Sequence, residues 1–236
     1  MKRIGIMGGT FNPIHNGHLA IAKTAKEQFA LEQVLFMPSG VPYMKDQREI
    51  LPIQARCEMT ALAIQEIPGF ALSEMEALDA VQGKNTYTCD TLQKLKHADP
   101  EAAYYFILGA DSLYAIEHWK NPESIFQSCT VLVAVRTDDT MDKPQQASMC
   151  DSDGPVETAG NQQERLRGQA QYLREKYGAS VEILEFAGMD ISSTQIREMA
   201  RTGASLQGLL PEAVEAYIRK NRLYEKEMQE KKGYFQ

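Results

Sequence analysis

The stretch RIGIMGGTFNPIHNGHL, residues 3–19, decides the fold. Residues 3–7 form a short apolar run typical of a buried strand, and two glycines then interrupt it. Residues 17–30 carry apolar side chains at helical spacing. The segment therefore predicts a strand, a glycine-rich turn and a helix. In such an arrangement the free backbone amides and the dipole of the helix N-terminus bind phosphate.

The same alternation of apolar runs and helical periodicity continues along the chain, as expected of repeated strand–helix–strand units. Further strands are predicted at 34–37, 70–73, 103–108, 129–135 and 181–186. Further helices are predicted from Pro52, with an apolar stripe of Ile53, Cys57, Ala61 and Ile64, from about Thr88 to Pro100, and over 162–177, 193–202 and 211–220. Because the strands are apolar throughout, we expect both of their faces to be buried. The predicted fold class is α/β, Rossmann-like and doubly wound, with a mostly parallel sheet and helices on both faces.

Length, charge and composition limit the class of protein. The chain has 236 residues, of which 43% are hydrophobic and 24% charged, enough for one large α/β domain or two small ones. A net charge of −7 argues against nucleic acid as a partner, because nucleic-acid binders carry a basic field. No stretch approaches the roughly 20 apolar residues of a membrane helix, and no signal peptide is predicted. We therefore expect a cytoplasmic protein with no membrane partner.

The cysteines and carboxylates predict no metal ligands in the protein. Cys57, Cys89, Cys129 and Cys150 are widely separated, with no CxxC pair, which is typical of reduced thiols and not of structural zinc. No cluster of carboxylates marks a cation site. The sequence leaves open whether the chain forms homo-oligomers.

Residues 137–164 interrupt the pattern. They are rich in Asp, Gln, Ser, Gly and Pro, show no periodicity, and predict a surface excursion of the chain. Seven acidic residues and one lysine lie there, so this segment holds a net charge of −6 out of the total of −7. The rest of the chain is close to neutral, which suits a site for anionic ligands. Residues 225–236 form a highly charged tail.

The turn after the first strand carries the strongest functional signal. Gly8 and Gly9 allow the main chain to approach a ligand closely, and Gly17 does the same at the start of the helix. His15 and His18 are three positions apart at the helix start, so both rings can face one pocket. The pattern is neither GxGxxG nor a Walker motif. The competing interpretation is a tight turn with incidental histidines, which two histidines beside three glycines disfavour.

A second candidate site is ISSTQIR, residues 191–197. Its serines and Thr194 are typical N-cap and first-turn residues of a helix. Because Thr194 and Arg197 are one turn apart, hydroxyl, guanidinium and free helix amides can face the same anion. By itself this pattern is more typical of an ordinary capped helix than of an anion site.

The third candidate is GADSL, residues 109–113, at the end of the strand predicted at 103–108. Asp111 can accept hydrogen bonds from a ribose or simply cap the helix that follows. Trp119, the only tryptophan, is either part of the core or a platform for a ligand near the same cleft.

Together these motifs resemble the T/HxGH nucleotidyltransferases, and more closely the bacterial nicotinate-nucleotide adenylyltransferases. The elements GGTFNPIHNGHL (8–19), TYTCDTL (86–92), GADSL with Trp119, ISSTQIR and LLPEAVEAYIRKNRLY (209–224) occur in this order. The resemblance spans nearly the whole chain except 137–180. It implies a nucleotidyltransferase domain over 1–224, with the acidic insertion at about 137–164.

The resemblance also implies a reaction and its ligands. Such an enzyme transfers the adenylyl group of ATP to nicotinate mononucleotide, giving nicotinate adenine dinucleotide and pyrophosphate in NAD biosynthesis. The implied partners are ATP and nicotinate mononucleotide, and the implied cofactor is Mg²⁺ carried by the ATP phosphates.

Site residues follow from the same resemblance. The implied catalytic residues are His15, His18 and Arg197. The implied ATP-binding residues are Gly8, Gly9, Thr10, Phe11, Gly17, Gly109, Asp111, Ile191, Ser193 and Thr194. The implied substrate-binding residues are Asn12, Lys45, Tyr87, Thr88, Trp119 and Lys120, with Trp119 stacked on the pyridine ring and backbone amides near Thr88 and after Trp119 on its carboxylate.

The chain departs from the family pattern at three places, one of which is segment 137–164, longer than the usual connection. Asn12 stands where the motif commonly has Asp, and PYMK (42–45) replaces PPHK, so that Lys45 keeps its charge while Met44 replaces a histidine. Other interpretations remain open: a nicotinamide mononucleotide, phosphopantetheine or cytidylyl acceptor, a nucleotide-binding regulator without turnover, or a scaffold that recruits partners through its acidic loop.

Overall fold

In the computed structural model, residues 1–41, 47–135, 159–186, 188–189 and 191–225 are described. Within them one sheet contains six strands: β1 (Arg3–Gly9), β2 (Gln33–Pro38), β3 (Phe70–Leu72), β4 (Ala103–Gly109), β5 (Thr130–Ala134) and β6 (Val181–Leu184). Their spatial order is β3-β2-β1-β4-β5-β6, and every neighbouring pair is parallel. The predicted doubly wound α/β class is confirmed.

The helices of the described residues are α1 (Asn16–Gln28), α2 (Ile53–Ile64), α3 (Met75–Val81), α4 (Thr88–Ala98), α5 (Ala110–Ala115), α6 (Pro122–Ser128), α7 (Ala159–Tyr177), α8 (Ser193–Thr202) and α9 (Glu212–Lys220). Short 3₁₀ turns occupy Gln47–Glu49 and Ile116–His118. The sequence did not predict α3 or α6, because helices of seven residues have too few turns to show a periodicity.

Each face of the sheet has its own hydrophobic core. Alternate residues of a strand point to opposite faces, so Leu132 lies in one core while Val131 and Val133 lie in the other. The first core is covered by α1, α2, α8 and α9, and the second by α4, α5, α6 and α7. This two-sided burial explains why the strands are apolar throughout.

One detail differs from the sequence expectation. Helix α7 begins at Ala159, so residues 159–164 belong to a helix and not to the expected excursion. They are mostly Gln, Glu and Ala, which are good helix formers. The remaining part of that segment, 137–158, and tail residues 226–236 lie outside the described residues.

Strand order places the ligand-binding crevice. Strand β1 lies between β2 and β4, and the chain leaves β1 toward one side of the sheet and β4 toward the other. In open parallel sheets, ligands bind outside the carboxyl ends of the strands at this reversal point. The glycines that end β1 and β4, Gly9 and Gly109, therefore mark the expected crevice.

Candidate active site

The turn from β1 to α1 brings the two histidines together. His15 is the N-cap residue of α1, in extended conformation and only 3% exposed. Its backbone N–H donates to His18 Nδ1 at 3.2 Å, and the two rings stack with centroids 3.7 Å apart. Because Nδ1 of His18 accepts this bond, the neutral His18 ring carries its proton on Nε2. His18 is therefore prepared as a hydrogen-bond donor for an anion.

Two glycines of the turn make room for aromatic rings. A Cβ on Gly17 would lie 3.1 Å from His15 Nδ1, and one on Gly9 would lie 3.0 Å from Phe11 Cε1. Phe11 itself has a left-handed backbone (φ 46°) and packs edge-on against His18, with ring centroids 5.1 Å apart. These glycines thus fix the positions of the side chains beside a ligand. Around Gly109, by contrast, no atom lies within 4 Å of the Cβ position.

Helix α8 supplies the second part of the site. Ser192 is its N-cap and accepts from Gln195 N at 3.2 Å, while Ser193 Oγ donates to the carbonyl of Pro13 at 2.9 Å. Arg197 Nη2 lies 3.4 Å from Thr194 Oγ1. The helix is capped as its sequence alone would suggest, and it is also joined directly to the β1–α1 turn.

A cavity of about 440 Å³ lies between these two segments, and we call it the histidine cavity. Its lining is polar and carries hydrogen-bond donors from three parts of the chain. The lining residues are Gly9, Thr10, Phe11, Asn12, His15, His18, Glu49, Ile50, Ser192, Ser193, Thr194 and Arg197. The structure therefore brings together the three predicted catalytic residues.

A second cavity of about 280 Å³, which we call the tryptophan cavity, adjoins the first. It is lined by Ile6, Gly8, Gly9, Thr10, Met37, Ser39, Val41, Glu76, Thr86, Tyr87, Thr88, Thr91, Leu92, Phe106, Ser112, Trp119 and Lys120. Gly9 and Thr10 line both cavities, so the two form one crevice at the carboxyl end of β1.

The predicted pyridine-binding residues all lie in the tryptophan cavity. Tyr87 is the N-cap of α4, Thr88 is its first residue, and Trp119 packs edge-on against Phe106 with centroids 6.3 Å apart. Lys120 Nζ lies 4.5 Å from the Tyr87 ring centroid and 2.8 Å from Asp90 Oδ2. This hydrogen bond from Lys120 lowers the pKa of the Asp90 carboxyl. The ion pair joins the segment after Trp119 to the start of α4.

Other predicted residues are placed differently. Asp111 is exposed in the first turn of α5, whose N-cap is Gly109, so it does not cap that helix. Asp111, Gly109, Gly17 and Ile191 are not among the residues that line the two cavities described above. Lys45 lies outside the described residues.

Comparison with known proteins agrees with this geometry. The model of the cytidylyltransferase-like family matches residues 6–199. A Lachnoclostridium phytofermentans protein named "Probable nicotinate-nucleotide adenylyltransferase" is 38% identical over 224 residues, 95% of this chain and 100% of that protein. A protein of the same name from Citrifermentans bemidjiense is 40% identical over 222 residues, 94% of this chain and 98% of that one. This chain belongs to the nicotinate-nucleotide adenylyltransferase family.

Membership confirms the family and the enzyme class predicted from the motifs, a nucleotidyltransferase. Among solved structures, the Plasmodium falciparum nicotinic acid mononucleotide adenylyltransferase complexed with NaAD superposes with a TM-score of 0.70. The superposition covers 95% of this chain and 98% of that protein at 17% identity, which establishes a shared fold.

Arg56 supports the segments around the two cavities, and sequence reasoning missed it. It is only 2% exposed, and its guanidinium donates at 2.8–3.2 Å to the backbone carbonyls of Thr10, Ser39, Gly40 and Leu51. Burial lowers its pKa. Three separate chain segments around both cavities are therefore joined by one side chain.

Glu76 was also missed. Its carboxylate in the tryptophan cavity accepts from Thr91 Oγ1 at 3.0 Å and from the Gly40 N–H at 3.4 Å, and burial raises its pKa. Because Arg56 donates to the Gly40 carbonyl, both the N–H and the C=O of Gly40 are hydrogen-bonded. A Cβ at Gly40 would come within 2.6 Å of the Glu76 carbonyl oxygen, so only glycine fits there.

The described part of the chain contains neither a cluster of metal-ligating side chains nor a helix able to cross a membrane. No group of three or more His, Cys, Asp or Glu side chains there could hold a metal ion. No helix there is long and apolar enough to cross a membrane.

Proposed function

We propose that the protein transfers the adenylyl group of ATP to nicotinate mononucleotide, forming nicotinate adenine dinucleotide and pyrophosphate in NAD biosynthesis. The observation that carries this proposal is the wall that the two cavities share at Gly9 and Thr10. The product is a dinucleotide whose two halves meet at a pyrophosphate bridge. Two adjoining cavities, one rich in anion-binding groups and one lined by aromatic rings, match the two halves.

The reaction needs little chemistry from the protein. A 5′-phosphate oxygen of the mononucleotide attacks the α-phosphorus of ATP in line, and the bond from that phosphorus to the pyrophosphate oxygen breaks. The attacking phosphate is already an anion near neutral pH, because the second pKa of a phosphate monoester is about 6. No protein nucleophile or general base is therefore required. Catalysis rests on positioning and on electrostatic stabilisation of the phosphoryl centre.

The histidine cavity is the proposed place of the triphosphate. His15 and His18 bind the phosphates and the leaving group, with His18 Nε2–H as a donor. Arg197 and Thr194 bind the same chain of phosphates from α8, as do the free amides at that helix N-terminus. The proposed ATP-binding set keeps Gly8, Gly9, Thr10, Phe11, Gly17, Gly109, Asp111, Ile191 and Ser193.

Mg²⁺ is the proposed cofactor, bound to the ATP phosphates and neutralising their charge. Hard cations with few protein ligands are commonly carried by substrate phosphates. The hydroxyl and imidazole groups of the histidine cavity suit a phosphate ligand better than a bare Mg²⁺ ion.

The tryptophan cavity is the proposed place of the pyridine nucleotide. Trp119 offers its ring for stacking, and the N-terminus of α4 at Tyr87 and Thr88 offers backbone amides to the carboxylate. Lys120 follows Trp119 at the same wall. Lys45 is proposed for the mononucleotide phosphate from its charge and place in the motif. The proposed catalytic domain spans 1–224, with the insertion at about 137–164 and a tail at 225–236.

Pyrophosphate release from ATP and Mg²⁺ tests the reaction and its acceptor. We expect release with nicotinate mononucleotide and much slower release with nicotinamide mononucleotide. Equal rates with the two would overturn the acid specificity, and no release with either would overturn the proposed function.

The role of His18 is tested by His18→Ala. We expect kcat to fall by about 10²–10³, the effect of losing one transition-state donor. His97→Ala is the matched control, since His97 is exposed in the last turn of α4. Near-wild-type turnover of His18→Ala would contradict the assignment.

A further inference from the structure

Asn12 joins four separate segments of the chain. Its side chain is only 4% exposed, although it lines the histidine cavity. Asn12 Nδ2 donates to the Glu49 carbonyl at 2.9 Å, and Oδ1 accepts from the Leu51 N–H at 3.2 Å. Oδ1 also accepts from the Tyr224 hydroxyl at 3.1 Å. The side-chain amide is therefore bound to other parts of the protein.

The main chain of Asn12 connects this junction to the anion-binding groups. Its carbonyl oxygen accepts from Arg197 Nη1 at 3.2 Å. The other guanidinium nitrogen, Nη2, lies 3.4 Å from Glu49 Oε2. A contact that holds Asn12 in place therefore also orients the Arg197 side chain in the histidine cavity.

Tyr224 reaches this junction through an unfavourable backbone. Tyr224 has φ 70° and Arg222 has φ 49°, both in the left-handed region that residues with a Cβ rarely adopt. Such outliers persist only where the surrounding structure holds them, and they are concentrated at functional sites. The partly buried Tyr224 ring packs against the first hydrophobic core, which provides that support.

The Tyr224 hydroxyl is a permanent donor. Burial raises its pKa, and the positive charges of Arg197 and Arg56 nearby only partly oppose this. The phenol therefore keeps its proton at any pH at which the protein works, and Asn12 Oδ1 is the acceptor that it faces.

We propose that Tyr224 is a positioning residue: its hydroxyl holds Asn12, and through the Asn12 carbonyl it holds Arg197, so that ATP is aligned for attack. This inference rests on the proposed function, since it concerns the same site. It assigns a role in nucleotide binding to a residue of the C-terminal segment that lines neither of the two cavities.

Tyr224→Phe tests the proposal because it removes only the hydroxyl. We expect kcat/KM for ATP to fall about fivefold, the scale of one hydrogen bond between neutral groups. The KM for nicotinate mononucleotide should stay within about twofold of wild type, since the tryptophan cavity is untouched. In an Asn12→Ala background, Tyr224→Phe should have almost no further effect, because the acceptor is already gone.

Tyr217→Phe is the matched control. Tyr217 lies in α9, donates to Glu58 Oε2 at 2.6 Å in a solvent-exposed hydrogen bond, and lines neither cavity. It should keep wild-type kinetic constants. Wild-type constants in Tyr224→Phe would overturn the proposal. So would an equal loss toward both substrates with a lowered Tm, which indicates a purely structural role.

A binding measurement separates this inference from the proposed function. Calorimetric titration with a non-hydrolysable ATP analogue should show about fivefold weaker binding to Tyr224→Phe than to wild type. Absence of pyrophosphate release by wild type would refute the proposed reaction while this titration still decides the role of Tyr224. Equal analogue affinity in the two proteins would overturn the positioning role.

Discussion

Replacing Arg56 with methionine removes four hydrogen bonds from the loops around the active site. The buried guanidinium bonds the carbonyls of Thr10, Ser39, Gly40 and Leu51 at 2.8–3.2 Å. Methionine fills a similar length of side chain but donates nothing. A fully buried carbonyl left without a partner costs about 1–3 kcal/mol, and two of these four bonds are fully buried.

The expected net loss is smaller than the sum of these penalties. Burial of the charged guanidinium is itself unfavourable, as its lowered pKa shows, and the substitution removes that penalty. We therefore expect the free energy of unfolding to fall by about 3–5 kcal/mol, the range for breaking a buried charged interaction. That is a large part of the roughly 5–15 kcal/mol that stabilises a typical domain.

Urea denaturation followed by Trp119 fluorescence and by far-ultraviolet circular dichroism measures the change. Agreement of the two transitions shows whether unfolding remains two-state. Arg201→Met is the control, because Arg201 pairs with Glu198 at the surface of α8, where ion pairs contribute about 0–1 kcal/mol. A loss below about 1 kcal/mol for Arg56→Met, or an equal loss in the control, would refute the reasoning.

Three further substitutions test the site. Gly17→Ala should leave stability within about 1 kcal/mol of wild type but lower kcat about 3–10-fold, because the new Cβ displaces the His15 ring by a few tenths of an ångström. Glu49→Gln should lower the KM for ATP about 2–3-fold in steady-state assays, by removing a negative charge and releasing Arg197. Glu76→Gln should raise Tm relative to wild type by an amount that grows with pH. Burial raises the pKa of the Glu76 carboxyl in the folded protein above its ordinary value of 4.5. Wild type therefore loses stability as the pH rises from 4.5 to that raised pKa, because the unfolded chain ionises this carboxyl more readily than the folded protein does.

Matched controls exist for each of these. Gly168→Ala in α7 has open space at its Cβ, so it should raise stability slightly without changing kcat. Glu175→Gln, on the exposed face of α7, should change neither the KM for ATP nor the pH dependence of Tm. Displacement of the His15 ring would be refuted by an unchanged kcat in Gly17→Ala. The role given to the Glu49 charge would be refuted by a higher KM for ATP in Glu49→Gln. A Tm difference that does not depend on pH in Glu76→Gln would contradict the raised pKa of Glu76.

The parts of the fold that sequence predicts are those whose pattern is local. The β1–α1 turn is one such part, since an apolar run, two glycines and two histidines at helical spacing all lie within residues 3–19. The buried face of α2 cannot be predicted from a local pattern. Its predicted stripe of Ile53, Cys57, Ala61 and Ile64 differs from the buried set, which includes Arg56 and Thr60.

The sequence analysis did not single out Arg56, because its hydrogen-bond acceptors come from distant loops. The carbonyls of Thr10 and Ser39 are 46 and 17 positions away, and no local spacing reports such a contact. Tyr224 was missed for the same reason, although it ends a segment that the family resemblance had already marked. Asn12 is predicted to bind substrate and lines the histidine cavity, but no local pattern indicates the bonds of its side chain to Glu49, Leu51 and Tyr224.

The bond between Asn12 and Tyr224 also affects how the protein is made. Its partners are 212 positions apart, so nearly the whole chain must be synthesised before the bond can form. Strands β1, β2 and β4 need only residues up to Gly109 to pair. A growing chain on the ribosome can thus hold its central strands and both histidines while Arg197 and its support are still missing. If Tyr224 positions Arg197 as proposed, chains that stop before Tyr224 would be unable to align ATP.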